Sequence, residues 1–368
     1  MSTTRIIIMA GGTGGHVYPG LAVAEALRER GIEVSWLGTR RGLESQLVPK
    51  AGFAIDYIAI SGLRGKGTLG WALAPFRLTI ALAQAIGVMW RRRPAAVLGM
   101  GGFVTGPGGV AAKLTGRPLL IHEQNAIAGM TNRWLSRIAD AVLEAFPGTF
   151  APKASVMHTG NPVRKVIAQL DEPKARYADR TGPLRLFVVG GSLGAKALNE
   201  TLPKAIALLP ENIRPVIRHQ TGQKHFESAQ QAYCEAGVQG ELLAYVDDMA
   251  GLYEWADLVI CRSGALTVSE LAAAGVPALL VPYPHAVDDH QTVNGRYLTN
   301  AGAALMVQQN ELDAARLAGM INEFCTDAAS GRKRLQAMAE AARALGRPAA
   351  TAEVVAHCLA AARLKERH

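Results

Sequence analysis

The sequence predicts an α/β protein built from two Rossmann-like domains, whose parallel sheets face a central cleft. The chain has 368 residues, which corresponds to two domains at ~150 residues each. A buried apolar strand, a glycine-rich loop and an amphipathic helix follow one another twice, with the loops at residues 11–15 and 190–194. After each copy, short apolar runs alternate with helical stretches, which is typical of βα units in open parallel sheets.

Each half of the chain starts with this strand, loop and helix. The predicted strands of the first half are residues 5–10, 34–37, 96–100, 119–122 and 141–143. Those of the second half are residues 184–189, 216–219, 242–245, 258–261 and 278–281. The boundary is expected near residues 160–162, and a polar, Pro-containing stretch at residues 171–183 leads into the second sheet. We therefore expect one domain at residues 1–163 and the other at 164–340. Such sheets bind ligands beyond the carboxyl ends of their strands.

Composition excludes several classes of protein. With 49% hydrophobic and 19% charged residues, the chain has the content of a folded globular protein, not of a disordered or fibrous one. The four cysteines are far apart, and no Cys/His cluster has zinc-ligand spacing, so we expect neither structural disulfides nor a metal. The apolar run near the N-terminus is too short for a signal peptide, which favours a cytoplasmic location.

The positive charge is concentrated in the first half. Residues 1–163 hold 17 basic and 8 acidic side chains, whereas residues 164–368 hold 22 of each, and the net charge is +9. An anionic partner is therefore expected for the first half. No zinc finger, RNP motif or aromatic-rich basic strand is present in the sequence. We expect no nucleic acid and favour an anionic membrane surface or a phosphate-bearing substrate.

The glycine-rich loops are predicted phosphate sites. A strand that leads through glycines into a helix presents backbone N–H groups and the positive end of the helix dipole to an anion. A simple tight turn is the alternative for any single loop, but residues 99–109 add a third such loop. The dinucleotide fingerprint fails because Val17 stands at its last glycine position, and no GxxxxGK[ST] loop exists. No cofactor is expected.

Three side chains are candidates for chemistry or binding. His16 follows the first glycine loop, where an imidazole can accept a proton from a hydroxyl or bind a phosphate; a helix cap is the alternative. Glu123 ends a strand and is a second candidate base. Glu270 follows a helix start among apolar neighbours, where a ribose diol would be a suitable partner. Residues 285–294 carry two His and two Asp, and their spacing favours substrate contacts over a metal.

The apolar segment at residues 69–90 is the candidate for membrane contact. Pro75, Arg77 and Gln84 interrupt it, so its apolar pieces are shorter than the ~20 residues that a spanning helix needs. Most of it is expected to be a core helix. Its tip, residues 63–76, is the predicted contact with an anionic surface.

Seven motifs occur in order along the chain: GGTGGHVYPGLAVA at residues 11–24, SGLRGKG at 61–67, GMGGFVTGPGG at 99–109, HEQNAIAG at 122–129, GNPVR at 160–164, GGSLGA at 190–195 and CRSGALTVSELAAAG at 261–275. Together they resemble the MurG family of peptidoglycan glycosyltransferases, over nearly the whole chain. The resemblance implies a GT-B fold. From the residues, a last amphipathic helix is expected to begin at Pro348 and to run to about residue 364. In the division into domains, a C-terminal helix at about residues 341–368 is expected to pack back on the first domain.

The resemblance implies an inverting transfer of N-acetylglucosamine from UDP-N-acetylglucosamine to the 4-hydroxyl of undecaprenyl-diphosphate-linked muramyl pentapeptide, at the cytoplasmic face of the inner membrane. The first domain would take the lipid acceptor and the second the donor. His16, with Glu123 in reserve, would be the base. The residues that resemble donor contacts are Thr13, Gly14, Gly15, Asn125, Arg164, Ser192, Val246, Ala265, Leu266, Thr267, Val268, Ser269, Glu270 and Gln291.

Other functions remain open at this point. A glycolipid synthase or a UDP-N-acetylglucosamine 2-epimerase would share the nucleotide-binding half, although HEQN and GMGGFVTGPGG argue against both. A nucleotide-sugar sensor at the membrane would bind UDP-N-acetylglucosamine without transferring the sugar.

Overall fold

The computed structural model describes residues 4–61, 74–153, 155–191 and 194–366. The chain divides into two compact units: unit 1 is Met1–Arg164 with Ala349–His368, and unit 2 is Lys165–Pro348. Each unit contains one parallel sheet, of seven strands in unit 1 and six strands in unit 2. The prediction of two parallel α/β sheets is confirmed.

The sheet of unit 1 has the order β3-β2-β1-β4-β5-β6-β7, and its strands all run parallel. The strands are β1 Arg5–Ala10, β2 Glu33–Gly38, β3 Ala54–Tyr57, β4 Ala96–Gly101, β5 Leu119–Glu123, β6 Ala141–Glu144 and β7 Val156–His158. The described helices are α1 Gly14–Arg28, α2 Glu44–Lys50, α3 Ala74–Arg92, α4 Thr105–Leu114, α5 Met130–Leu135 and, at the end of the chain, α15 Ala350–Glu366.

Helices cover both faces of this sheet, which is why its strands are continuous apolar runs. Ile6 and Ile8 pack with side chains of α1 and α15 on one face. Ile7 and Met9 pack with side chains of α3 and α4 on the other. Alternate side chains of β1 therefore pack into two separate hydrophobic cores, and the last helix of the chain, α15, packs into the first of them.

The sheet of unit 2 has the order β10-β9-β8-β11-β12-β13 and is also parallel. Its strands are β8 Arg185–Val189, β9 Val216–Gln220, β10 Glu241–Leu243, β11 Leu258–Cys261, β12 Ala278–Leu280 and β13 Ala304–Met306. Its described helices are α6 Lys165–Ala168, α7 Pro173–Tyr177, α8 Lys196–Ala207, α9 Phe226–Glu235, α10 Met249–Trp255, α11 Ala265–Ala274, α12 His290–Thr299, α13 Ala314–Cys325 and α14 Ala328–Leu345.

The C-terminal region contains two helices. Helix α14 ends at Leu345, and Gly346 takes an extended backbone with φ −64° and ψ 144°. Helix α15 then begins at Ala350. The break between the two helices coincides with the change of unit, because α14 belongs to unit 2 and α15 to unit 1.

In the part of the chain that the structure describes, no helix combines the length and the apolar composition that a membrane span requires.

Candidate active site

The centre of the unit 1 sheet brings three predicted segments to one edge. Strands β1 and β4 are neighbours there, and β5 lies next to β4. In a parallel sheet, adjacent strands whose connections leave in opposite directions create a crevice beyond their carboxyl ends, where ligands bind. The ends of these three strands and the loops that follow them hold the first glycine loop, Gly101 and Gly102, and the HEQN motif at residues 122–125.

Helix α1 starts directly after the first glycine loop. Thr13 is its exposed N-cap, yet the Thr13 side chain makes no capping hydrogen bond, and the first turn contains no acidic residue. The partly exposed Gly14 and Gly15 carry the first N–H groups of the helix. The positive end of the helix dipole is therefore open to an anion.

Glu44 on α2 holds this loop in place. Its carboxylate is completely buried and accepts hydrogen bonds from Gly12 N at 2.9 Å, Thr39 N at 2.8 Å and the Thr39 hydroxyl at 2.7 Å. Gly42 is required for this contact, because a Cβ there would lie 1.9 Å from Glu44 Oε2. The sequence analysis missed Glu44, since nothing in the pattern of α2 distinguishes it from a solvated glutamate.

His16 lies in the first turn of α1 and is partly exposed. Its Nδ1 is 2.7 Å from Gln124 Oε1, and Gln124 Nε2 is 3.0 Å from His122 Nδ1. The His122 Nε2 atom is 2.9 Å from the carbonyl oxygen of Gly160. Gly101, with φ +110°, makes room for the His16 ring, because a Cβ there would lie 2.8 Å from His16 Nδ1. A continuous hydrogen-bonded chain thus ends on the candidate base.

His122 is an uncharged member of this chain. The ring is completely buried, and burial lowers the pKa of His122 to about 4, although the Gly160 carbonyl and the charge of Glu123 act in the opposite direction. The imidazole is therefore neutral near neutral pH. The sequence analysis named the HEQN motif but gave no role to His122 or Gln124.

Glu123 is a buried anchor for the loop that follows β5. One carboxylate oxygen accepts from Asn125 N at 3.0 Å and Asn125 Nδ2 at 3.2 Å. The other accepts from Gly129 N at 3.0 Å and Asn132 Nδ2 at 3.0 Å. With 2% of its surface exposed, Glu123 has little room to take a substrate proton. This geometry favours His16 as the base.

The structure brings four more of the predicted residues into this region and places a fifth, Arg164, at the end of the first segment of unit 1. Thr13, Gly14 and Gly15 lie at the start of α1. Asn125 lies on the loop after β5, and its backbone and side-chain nitrogens donate hydrogen bonds to Glu123. Arg164, half-buried, is the residue at which unit 1 passes into unit 2.

The predicted donor residues of unit 2 follow the carboxyl ends of its strands. Ser192 lies outside the described residues. Helix α11 begins at Ala265 directly after β11; its N-cap, Gly264, offers no side chain, and its first turn contains no acidic residue. Ala265 and Val268 are buried, whereas Leu266, Thr267 and Ser269 are half-buried. This second helix start is again open to an anion.

Glu270 lies on α11 with 4% of its surface exposed. Its Oε2 accepts a hydrogen bond from the Tyr253 hydroxyl at 3.2 Å. Val246 is half-buried on the loop after β10, and Gln291 lies in the first turn of α12. Strands β10, β11 and β12 belong to one parallel sheet, so the segments that follow them leave from the same edge.

The turn before Gln291 has an unusual backbone. Asp288 and Asp289 have φ values of +54° and +50°, in the left-handed region that costs non-glycine residues ~1 kcal/mol or more each. Gln291 Oε1 accepts a hydrogen bond from Tyr283 N at 2.9 Å, which orients the amide oxygen toward the segment after β12.

Over the described part of the chain, no group of three or more His, Cys, Asp or Glu side chains is placed to hold a metal ion.

Both halves of the chain match the domains of one known family. The glycosyltransferase family 28 N-terminal domain matches residues 6–144, and the C-terminal domain of that family matches residues 185–354. A protein of Marinobacter nauticus named UDP-N-acetylglucosamine--N-acetylmuramyl-(pentapeptide) pyrophosphoryl-undecaprenol N-acetylglucosamine transferase is 57% identical over 358 residues, which is 97% of this chain and 98% of that protein. A protein of the same name from Nitrosococcus oceani is 55% identical over 96% of this chain and 98% of its own length.

A solved structure agrees with these relatives. The crystal structure of Acinetobacter baumannii MurG matches with a TM-score of 0.83 and 43% identity, covering 97% of this chain and 99% of that one. Each of the two units contains one parallel α/β sheet, and the whole chain matches this glycosyltransferase structure. Together these features define a glycosyltransferase of the GT-B class. More narrowly, the chain belongs to glycosyltransferase family 28.

Proposed function

We propose that this protein transfers N-acetylglucosamine from UDP-N-acetylglucosamine to the 4-hydroxyl of undecaprenyl-diphosphate-linked muramyl pentapeptide, with inversion at the anomeric carbon. The observation that carries the proposal is the identity of 57%, over nearly the full length of both chains, to a relative whose name states this donor and this acceptor. The open helix starts of α1 and α11 support it, because both substrates carry a diphosphate.

The chemistry assigns His16 as the base. The muramyl 4-hydroxyl attacks the anomeric carbon, a new C–O bond forms, and the bond from that carbon to the UDP oxygen breaks. The hydroxyl proton passes to His16, and UDP leaves with the electron pair of the broken bond. Backbone N–H groups and the dipole of α11 stabilise the negative charge that grows on the diphosphate. Glu123 serves to hold the loop on which Asn125 lies.

The remaining predicted residues are proposed to bind the donor. Unit 2 is assigned the nucleotide, with Glu270 on the ribose diol, the Val246 backbone on uracil and the start of α11 on the diphosphate. Gln291 is proposed to bind the sugar end. Thr13, Gly14, Gly15, Asn125 and Arg164 are proposed to contact the donor from unit 1, and Ser192 from the glycine loop of unit 2.

Replacing Glu270 by glutamine is expected to raise the KM for UDP-N-acetylglucosamine about 10-fold to 100-fold, because hydrogen bonds to a charged acceptor are worth about 1.5–3 kcal/mol. The value of kcat should change less than KM. Steady-state kinetics with varied donor measure both constants, and Glu235→Gln on α9 is the matched control. An unchanged KM would remove Glu270 from the donor site.

The decisive test of the proposed function is transfer itself. Purified protein is incubated with labelled UDP-N-acetylglucosamine and the muramyl-pentapeptide lipid, and label in the lipid phase is measured. Label in the lipid supports the proposal. Binding of UDP-N-acetylglucosamine without transfer would instead indicate a sensor, and conversion of the donor in the absence of the lipid would indicate an epimerase.

We further propose that unit 1 associates peripherally with an anionic membrane surface. Of the predicted tip, residues 63–73 lie outside the described residues, but Phe76 on α3 is 67% exposed. Successive elements of unit 1, from α3 to the segment after α5, expose further large apolar side chains: Leu78, Ile80, Trp90, Phe103, Val110, Leu114, Met130, Trp134 and Ile138. Exposed apolar side chains beside arginines suit an anionic interface.

Replacing Phe76 by serine is expected to weaken binding to anionic phospholipid vesicles about 10-fold, because transferring most of a phenylalanine side chain into lipid is worth about 1.5–3 kcal/mol. Co-sedimentation with vesicles that contain phosphatidylglycerol measures this. Leu208→Ser, which changes an exposed leucine of unit 2, is the matched control. Equal binding by the two variants would place the membrane contact elsewhere.

A further inference from the structure

We propose that Gln124 is a positioning residue that fixes the tautomer of His16, so that Nδ1 carries the proton and Nε2 carries the lone pair. This inference rests on the proposed function, in which His16 accepts the proton of the acceptor hydroxyl. It follows from three successive hydrogen bonds, which join Gly160 to His122, His122 to Gln124 and Gln124 to His16. In each of them, only one assignment of donor and acceptor is possible.

The first bond is set by the backbone. The carbonyl oxygen of Gly160 can only accept, and it lies 2.9 Å from His122 Nε2. The proton of the neutral His122 ring must therefore be on Nε2. His122 Nδ1 is consequently left as an acceptor, in the Nε2–H tautomer that free imidazole side chains also favour.

The second bond fixes the Gln124 amide. Its nitrogen end lies 3.0 Å from His122 Nδ1 and 3.2 Å from the His122 carbonyl oxygen. Both of these atoms are acceptors, so the NH2 group must be at this end of the amide. A flipped amide would place an oxygen against two acceptors in a buried environment, which is strongly unfavourable.

The third bond transmits the direction to His16. With its amide fixed, Gln124 presents Oε1 to His16 Nδ1 at 2.7 Å, and an amide oxygen only accepts. His16 Nδ1 therefore carries a proton, and in the neutral ring Nε2 holds the lone pair. Nε2 has no hydrogen-bond partner among the described residues, and the His16 side chain is partly exposed. Such a nitrogen is available to take a proton from a substrate.

The arrangement is stable near neutral pH. The titratable groups around the amide are His16, His122 and Glu123, and Glu123 is fully engaged by the loop at residues 125–132. Because burial lowers the pKa of His122 to about 4, that ring keeps its acceptor nitrogen above this pH. The direction of the chain is therefore not reversed in the range in which the enzyme would work.

The direct test is NMR of the full-length protein labelled with 15N-histidine, using His16→Gln to assign the His16 signals. The shifts of Nδ1 and Nε2 report which nitrogen carries the proton. In the wild type, we expect His16 to be mainly the Nδ1–H tautomer. In Gln124→Leu, which removes the acceptor, the Nε2–H tautomer that free imidazole side chains favour should gain population. A wild-type His16 that is mainly Nε2–H would overturn the inference.

The steady-state constants supply a second test, because a residue with a purely structural role would not change kcat selectively or shift the pH profile of kcat. Gln124→Leu is expected to lower kcat about 100-fold, with KM for UDP-N-acetylglucosamine within about twofold of wild type. Gln124→Glu keeps an acceptor for His16 Nδ1, but its second oxygen faces the two acceptor atoms of His122, so it should restore only part of the lost kcat. A charged carboxylate there also stabilises the protonated His16 ring, so the acidic limb of the pH profile of kcat should move to higher pH. Gln46→Leu, at an exposed position on α2, is the matched control.

These readouts separate two failures. NMR of His16 requires no turnover, so a wild type that transfers no sugar but shows Nδ1–H would disprove the proposed function and leave the role of Gln124 intact. A wild type that transfers sugar but shows Nε2–H would do the reverse. A Gln124→Leu variant with unchanged kcat and an unchanged His16 tautomer would show that Gln124 positions nothing.

Discussion

Replacing His16 by alanine is expected to lower the rate of sugar transfer about 1,000-fold while leaving the affinity for UDP within about twofold. General base catalysis contributes about 10²–10⁴-fold. Among the described residues, the other candidate base, Glu123, is not equivalent, because both of its oxygens accept hydrogen bonds from the loop at residues 125–132. The rate is measured with labelled donor and muramyl-pentapeptide lipid. Affinity for UDP is measured separately by calorimetry.

The control for this change is His357→Ala on α15, a partly buried histidine of the same unit. It should transfer sugar at the wild-type rate. A His16→Ala variant as fast as this control would exclude His16 from proton transfer. Glu123→Gln would then be the next variant to test, with the expectation that its main effect is on stability, since an amide nitrogen would face N–H donors.

The central strands of both sheets could be predicted because they are buried on both faces. Strands β1, β4, β5, β8 and β11 are continuous apolar runs that end at glycine or polar residues, and each was predicted within a few residues. Strands β3, β7 and β13 were missed. Each lies at an edge of its sheet. Strands β3 and β7 are short and only partly buried, so they have no continuous apolar signal. Strand β13 does lie within an apolar run, at residues 303–307, which the sequence analysis did not assign to a strand.

The candidate site could be predicted in part. The glycine loops and the start of α11 were found because strand, glycine and helix follow one another in the sequence, and the same local pattern drew attention to His16. The partners of these residues were not predicted. Gln124 contacts His16 across 108 positions and Glu44 contacts Gly12 across 32, and only the order of strands in the sheet brings such pairs together.

The second large effect concerns stability, and it arises from a buried charge cluster in unit 2. Asp257 is completely buried just before β11, with Oδ1 2.6 Å from Arg180 Nη1 and Oδ2 accepting from Arg185 N at 2.8 Å. Arg332 Nε lies 3.6 Å from Oδ2. The side chains of Arg180 and Arg332 are 6% and 10% exposed, so neither guanidinium is well hydrated.

Replacing Asp257 by alanine is therefore expected to lower the free energy of unfolding of unit 2 by about 4 kcal/mol, because removing one partner leaves buried charge uncompensated. Hydrogen exchange of the backbone amides of β8 and β11, which both belong to unit 2, followed in the full chain over a denaturant series, measures this change. Glu323→Ala removes a carboxylate from the exposed pair with Arg334 and should cost about 1 kcal/mol or less. Similar losses in the two variants would mean that Arg180 and Arg332 are satisfied by backbone carbonyls alone, and that the carboxylate of Asp257 contributes no more than an exposed ion pair.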